Sequence, residues 1–179
     1  MSGEPLVDRQ LIHDELDRAR VEFHQLLDAA KPADLSLPTR GTRWTNEQLL
    51  FHMLFGYILI RPLLALMRIF GQLPHGVSRA FSRLLNSATR PFDVINYLGP
   101  VAAVRVYGHR RMGAKLDGVI AGLHRHLDAA PEAAFTLGMH YPVRWDPFFR
   151  DFMTVTDLYH YPAQHFDFHH RQLTLTDTC

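Results

Sequence analysis

Two histidines four residues apart stand near the end of the last helical stretch of this chain, in the run Gln164-His165-Phe166-Asp167-Phe168-His169-His170. On a helix that spacing puts both imidazoles on one face, a turn apart. Neutral imidazole is the commonest side-chain metal ligand, and two on neighbouring turns can share one ion. Tyr161 and Leu158 extend the same face, so the pair looks into apolar, aromatic surroundings. A third histidine, His52, lies in the most hydrophobic stretch of the chain, among Phe51, Met53, Leu54 and Phe55. Taken alone, it reads as a core histidine bonded to a backbone carbonyl. A buried imidazole needs a polar partner, and a metal shared with the His165/His169 pair would supply one. Gly56, four residues on, would leave room beside such an ion for water or substrate.

These residues must be positioned by helices. The first is capped by Asp8 and carries apolar residues at Leu11, Ile12, Leu16, Ala19, Phe23, Leu26, Leu27 and Ala30, a 3.6-residue period; Lys31-Pro32 ends it. Thr45 followed by Gln48 is a capping box that opens a second helix, apolar nearly all round, running to about Ile60 where Arg61-Pro62 interrupts it. One or two short helices are expected as an insertion over about 62–91, with Phe81, Leu84 and Leu85 on one side and Arg79 and Arg83 on the other. Residues 86–99 read as loop. Pro100 suits the first turn of a long third helix from about Val101 to Ala129. Residues 131–151 form a long connection whose Tyr141, Trp145, Phe148 and Phe149 must pack on the helices. A last helix starts near Thr154 or Thr156 and runs to about Leu173, with Pro162 early enough to be tolerated. Four long helical segments without an alternating strand pattern predict an all-α bundle in a single domain spanning residues 1–179.

Composition excludes several classes. Across 179 residues, 47% are hydrophobic, too many for a disordered chain. Nineteen Lys and Arg against 18 Asp and Glu leave a formal charge of +1, which gives no general pull toward nucleic acid. One cysteine, Cys179, rules out an internal disulfide and a paired-cysteine zinc site, so any reactive thiol would arrive with the substrate. The start, MSGEPLVDRQL, lacks the basic-then-apolar pattern of a secretory signal, and a cytoplasmic protein is expected. The apolar window 49–70 is long enough to span a bilayer, but Arg61 near its middle is costly there; a buried core helix is the expectation and membrane association is not. Nine of the twelve histidines fit the constellation less well. His170 and His160 fall off the ligand face. His124 and His126 lie on opposite sides of a helix end. His13, His24, His75, His109 and His140 read as surface or packing residues.

The pattern TRWTNEQLLFHML around His52, the long third helix and the closing HYPAQHFDFHHRQL together resemble the DinB/YfiT-like family of helical metal-binding proteins. The resemblance spans most of the chain in helix order; its specific part is the two short motifs. It implies an up-down-down-up four-helix bundle with a divalent metal, zinc, nickel or iron, held by His52, His165 and His169. Three neutral ligands leave the ion's charge uncompensated and a position open, a catalytic composition. The activities it implies are thiol (mycothiol-type) transfer or hydrolysis of a small molecule, with a low-molecular-weight thiol as a possible partner and a homodimer as the assembly. Two polar residues are candidate helpers. Gln48 shares the side of His52 and is a candidate to bind water or substrate; Asp157 is a candidate to reach the pocket or, alternatively, to favour the helix dipole. No carboxylate stands where a general base is needed. The alternative is a non-catalytic helical binding protein, its metal structural or absent, with segment 57–85 as a partner or membrane-surface face.

Overall fold

The computed structural model describes residues 7–175, so the first six residues and Cys179 lie outside the described residues. The fold is predominantly helical. Helix α1 (Arg9–Ala29) begins where the Asp8 carboxylate accepts the Leu11 N–H at 3.0 Å. It buries Ile12, Leu16, Ala19 and Phe23, one stripe, while Leu11 turns outward. A short α2 (Pro32–Leu35) follows. The central helix α3 (Asn46–Phe70) starts at the expected capping box of Thr45 and Gln48. It packs on α5 (Thr89–Tyr107), α6 (Met112–Ala129) and α7 (Val155–His170), while α1 lies against α6 and α7.

Three boundaries differ from the sequence expectation. Helix α3 does not end at Arg61-Pro62 but continues to Phe70. Pro62 faces solvent, and burial of Ile60, Leu64 and Met67 on the opposite side outweighs the backbone bond that its missing N–H removes. The expected loop over 86–99 is mostly helix, and the expected third helix is two. Helix α5 runs through Pro100 and stops at Gly108, whose φ of 65° is a left-handed conformation that favours glycine. A 3₁₀ turn (His109–Arg111) then leads into α6. The helical addition between α3 and α6, which includes α4 (His75–Ser87), therefore reaches Tyr107, well past the expected 62–91 span.

The connection from α6 to α7 carries the one sheet among the described residues, an antiparallel pair of β1 (Gly138–His140) and β2 (Phe152–Thr154). The loop between the strands holds the aromatics as expected. Trp145 stacks on Phe92 of α5 at 4.1 Å, and its Nε1 donates to the Leu85 carbonyl at 2.9 Å. Two buried serines of α4 fasten that helix to β1: Ser82 Oγ donates to the Tyr141 carbonyl, and Ser78 Oγ accepts the His140 N–H. The strand-linked loop, α4 and α5 thereby close one side of a space beside α3.

Candidate metal centre and its cavity

His52 projects from the second turn of α3, and His165 and His169 from the last turns of α7. All three are buried, at 7%, 3% and 8% exposure. One nitrogen from each lies within 4.8 Å of the others, the one such histidine, cysteine or carboxylate grouping of three among the described residues. His165 Nε2 and His52 Nε2 face each other at 3.1 Å. His169 Nδ1 donates to the Gln172 Oε1 at 2.7 Å, which fixes its tautomer and leaves Nε2 as a lone pair, the usual outer support of a ligating imidazole. The Nδ1 atoms of His52 and His165 are buried without a hydrogen-bond partner. In a metal-free pair of neutral rings, one Nδ1–H and one Nδ1 lone pair are thus left stranded, whichever ring donates.

Burial sets the charge state. It pushes His52 down to about 3, assisted by His169. It lowers His165 well below the ordinary histidine value, with His52 and His169 adding to the effect. His169 is lowered by burial too, partly offset by its bond to Gln172. The three rings are therefore neutral at pH 7, the protonation state a metal requires. The donor set and its protonation fit a divalent ion.

Local sequence explains the approach. A Cβ on Gly56 would stand 2.9 Å from His165 Nδ1 and 3.2 Å from Cε1. Gly56 thus makes room for the imidazole of His165 itself, and it also lines the cavity beside the histidines. Trp44 covers His52, with ring centroids 4.4 Å apart, and donates from Nε1 to the Tyr97 carbonyl of α5.

The two candidate helpers are both occupied with helix starts. Gln48 Oε1 accepts the Thr45 N–H at 3.1 Å. Asp157 Oδ2 accepts from both the N–H and the hydroxyl of Thr154, and Asp157 also pairs with Arg150. Burial alone would push the Asp157 carboxyl up; those bonds outweigh it and hold it below the ordinary carboxylate range. Neither residue lines the cavity next to the histidines. Asp157 therefore takes the helix-start alternative, for a physical reason: three residues after a threonine cap, its shortest reach is back to the orphan N–H groups of its own helix.

The carboxylate the sequence lacked is Asp146. Its Oδ2 lies 3.9 Å from His165 Nε2 and accepts the Tyr161 hydroxyl at 2.8 Å, while Oδ1 accepts the Phe148 N–H. Burial raises its pKa, and these two bonds act in the opposite direction. The only signal in the sequence was an acidic residue inside an aromatic-rich connection.

A cavity of about 630 Å³ opens onto His52, His165 and Asp146 and runs between α3, α4, α5 and the strand-linked loop. Its walls are hydrocarbon over most of their extent, and no Lys or Arg lines it. The chain matches no family model, no curated protein and no solved structure, so the reading of this site rests on its chemistry.

Proposed function

We propose that the chain is a divalent-metal-dependent enzyme in which His52, His165 and His169 hold the ion and a small molecule is the substrate. In this reading α1, α3, α6 and α7 are the four members of a DinB-like up-down-down-up bundle, with α4 and α5 inserted, and the reaction is thiol transfer of the mycothiol type or hydrolysis. The observation that carries it is the buried trio of neutral imidazoles, two of which, His52 and His165, open onto a ligand-sized cavity. Without an ion, the cluster strands polar nitrogens and costs stability; perturbed groups of this kind concentrate at functional sites. A divalent ion bound there would bring a water's pKa to about 7 or hold a thiol as thiolate. The protein's own contribution is to keep the three rings neutral, to orient His169 through Gln172, and to place Asp146 next to His165 as a proton acceptor steadied by Tyr161.

Metal analysis of protein purified without chelators tests this. One equivalent of divalent metal is expected in the wild type and none in His52→Ala. Asp146→Asn should keep its metal and lose about 10²–10⁴-fold in turnover of small thiol or ester substrates. Wild-type protein that takes up no divalent metal on titration would rule the reading out.

A second reading, a binding protein, draws on one observation. Residues 57–85 contain no Asp or Glu. Their exposed side carries Ile69, Leu73, Val77 and Leu84 beside Arg61, Arg68, Arg79 and Arg83. Helix α3 is the one helix among the described residues long and apolar enough to cross a bilayer, although half of that window is buried within the protein. Flotation with anionic vesicles at low salt should carry the protein upward if this face binds lipid surfaces. A protein that stays with the buffer excludes that use.

A further inference from the structure

The cavity's chemistry is one-sided. At one end, His52, His165 and Asp146 meet, and the hydroxyl of Tyr161 is already committed to Asp146. The Tyr141 hydroxyl is buried with no hydrogen-bond partner, on a wall whose ring packs against Phe149 at 5.1 Å, which in turn lies 5.0 Å from Tyr161. It is an unused donor. Away from this end the lining is hydrocarbon, supplied by leucines and phenylalanines of α3, α4 and α5; Asn96 is the polar exception, and the indole N–H of Trp145 is spent on Leu85. Such a wall offers a polar ligand nothing in return for the water it would lose.

Helix α5 sharpens the point. Of its 19 residues only Pro100 is buried, yet Ile95, Pro100 and Ala103 lie on the cavity wall. Part of its inner face packs on neighbouring aromatics through Phe92, Tyr97 and Tyr107, whereas Ile95, Pro100 and Ala103 border the open space. A hydrophobic body in that space would cover the apolar residues that border it, and the volume lies within the range of sites that enclose small organic ligands, about 300–1,000 Å³. Charge narrows the class further. With no Lys or Arg on the wall and a carboxylate at the polar end, nothing in the protein itself favours an anionic headgroup.

We propose that this cavity binds a single-headed hydrophobic molecule, a long alkyl or fused-ring body with one uncharged polar end, seated with that end between Asp146, Tyr141 and His165 and its body against α4 and α5. The proposal rests on reading the cavity as the substrate pocket of the histidine site, and it names the substrate class of that site: an apolar compound carrying one reactive polar group.

The test is calorimetric titration of the full chain with 1-octanol, 1-decanol and 1-dodecanol, metal-free and after loading with zinc. Affinity should rise about fourfold per added methylene, equivalent to ~0.8 kcal/mol each, in both forms. The same slope should persist in His52→Ala, because the body binds away from the histidines. Ala103→Trp, which fills the α5 wall, should weaken dodecanol at least tenfold with an unchanged circular-dichroism spectrum; Leu63→Gln, on the α3 wall, is the second variant should the first not fold. Affinity that is flat with chain length in both forms overturns the proposal. A steep slope in protein that takes up no zinc keeps it and removes the metal reading instead.

Discussion

Two groups of histidines in this molecule differ in almost every physical respect. His13 of α1 and His124 of α6 stack at 4.7 Å with their Nδ1 atoms in contact, each ring about one-fifth exposed. Each outer nitrogen faces a carboxylate, Asp128 for His13 and Asp17 for His124. Every nitrogen of that pair has a partner, and the arrangement ties α1 to α6. The trio of His52, His165 and His169 is buried, has one supporting side chain in Gln172, and leaves two nitrogens without a hydrogen bond. A histidine pair completed by carboxylates at the surface serves structure. A trio kept neutral and incomplete in the interior has capacity left for a ligand.

The largest effect should separate the groups outright. His165→Ala is expected to abolish stoichiometric metal uptake, whereas His13→Ala should leave it intact; elemental analysis of both proteins decides, and equal uptake by the two would erase the distinction drawn here.

Next in size is a pH effect to which the trio contributes most. Above the ordinary histidine value of about 6.5 the rings are neutral in the folded and the unfolded chain alike. Below it, the unfolded chain binds protons that the buried rings refuse, since His52 is held down to about 3 and its two neighbours are lowered as well. Stability of the metal-free protein should therefore fall as pH drops from 6.5 toward 3, by up to ~1.4 kcal/mol per pH unit for each histidine. Urea midpoints at pH 7, 6 and 5 report this, and His52→Ala should flatten the trend. An unchanged wild-type midpoint would contradict the buried, neutral state.

Gly56→Ala comes third. The added methyl meets His165 at 2.9 Å, so the ring must shift, at ~1–3 kcal/mol of folding stability and about 10–100-fold in metal affinity, the scale seen when the support of a ligand is disturbed. Calorimetric metal titration measures it, and wild-type affinity would mean that the ring does not need its present place. The smallest effect belongs to the surface pair: His13→Ala should cost about 1 kcal/mol in thermal unfolding without touching the metal site. A loss several times larger would give that pair a weight its exposure does not warrant.

Much of the frame is legible in the sequence. The α1 stripe and its Asp8 cap, the Thr45–Gln48 box and the i, i+4 histidines of α7 are local signals, settled by bonds within a turn or two of helix. Where a local signal was ambiguous, distant packing chose. Pro62 reads as a helix stop and Pro100 as a helix start, yet both sit inside helices, because packing along each helix outweighs the one backbone bond that each proline removes. Gly108, unmarked in advance, takes the break instead.

The sequence by itself determined that the chain is helical, that His165 and His169 share a face, and that His52 is buried, since periodicity and hydrophobicity act through near neighbours. Only the tertiary structure decided that His52 Nε2 comes to 3.1 Å from His165, across 113 residues of chain. It likewise brought Asp146 beside them from a connection with no regular pattern, and left a cavity between α3, α4, α5 and the strand-linked loop. Those outcomes depend on how side chains of remote segments fill or fail to fill shared space, and no local pattern encodes that.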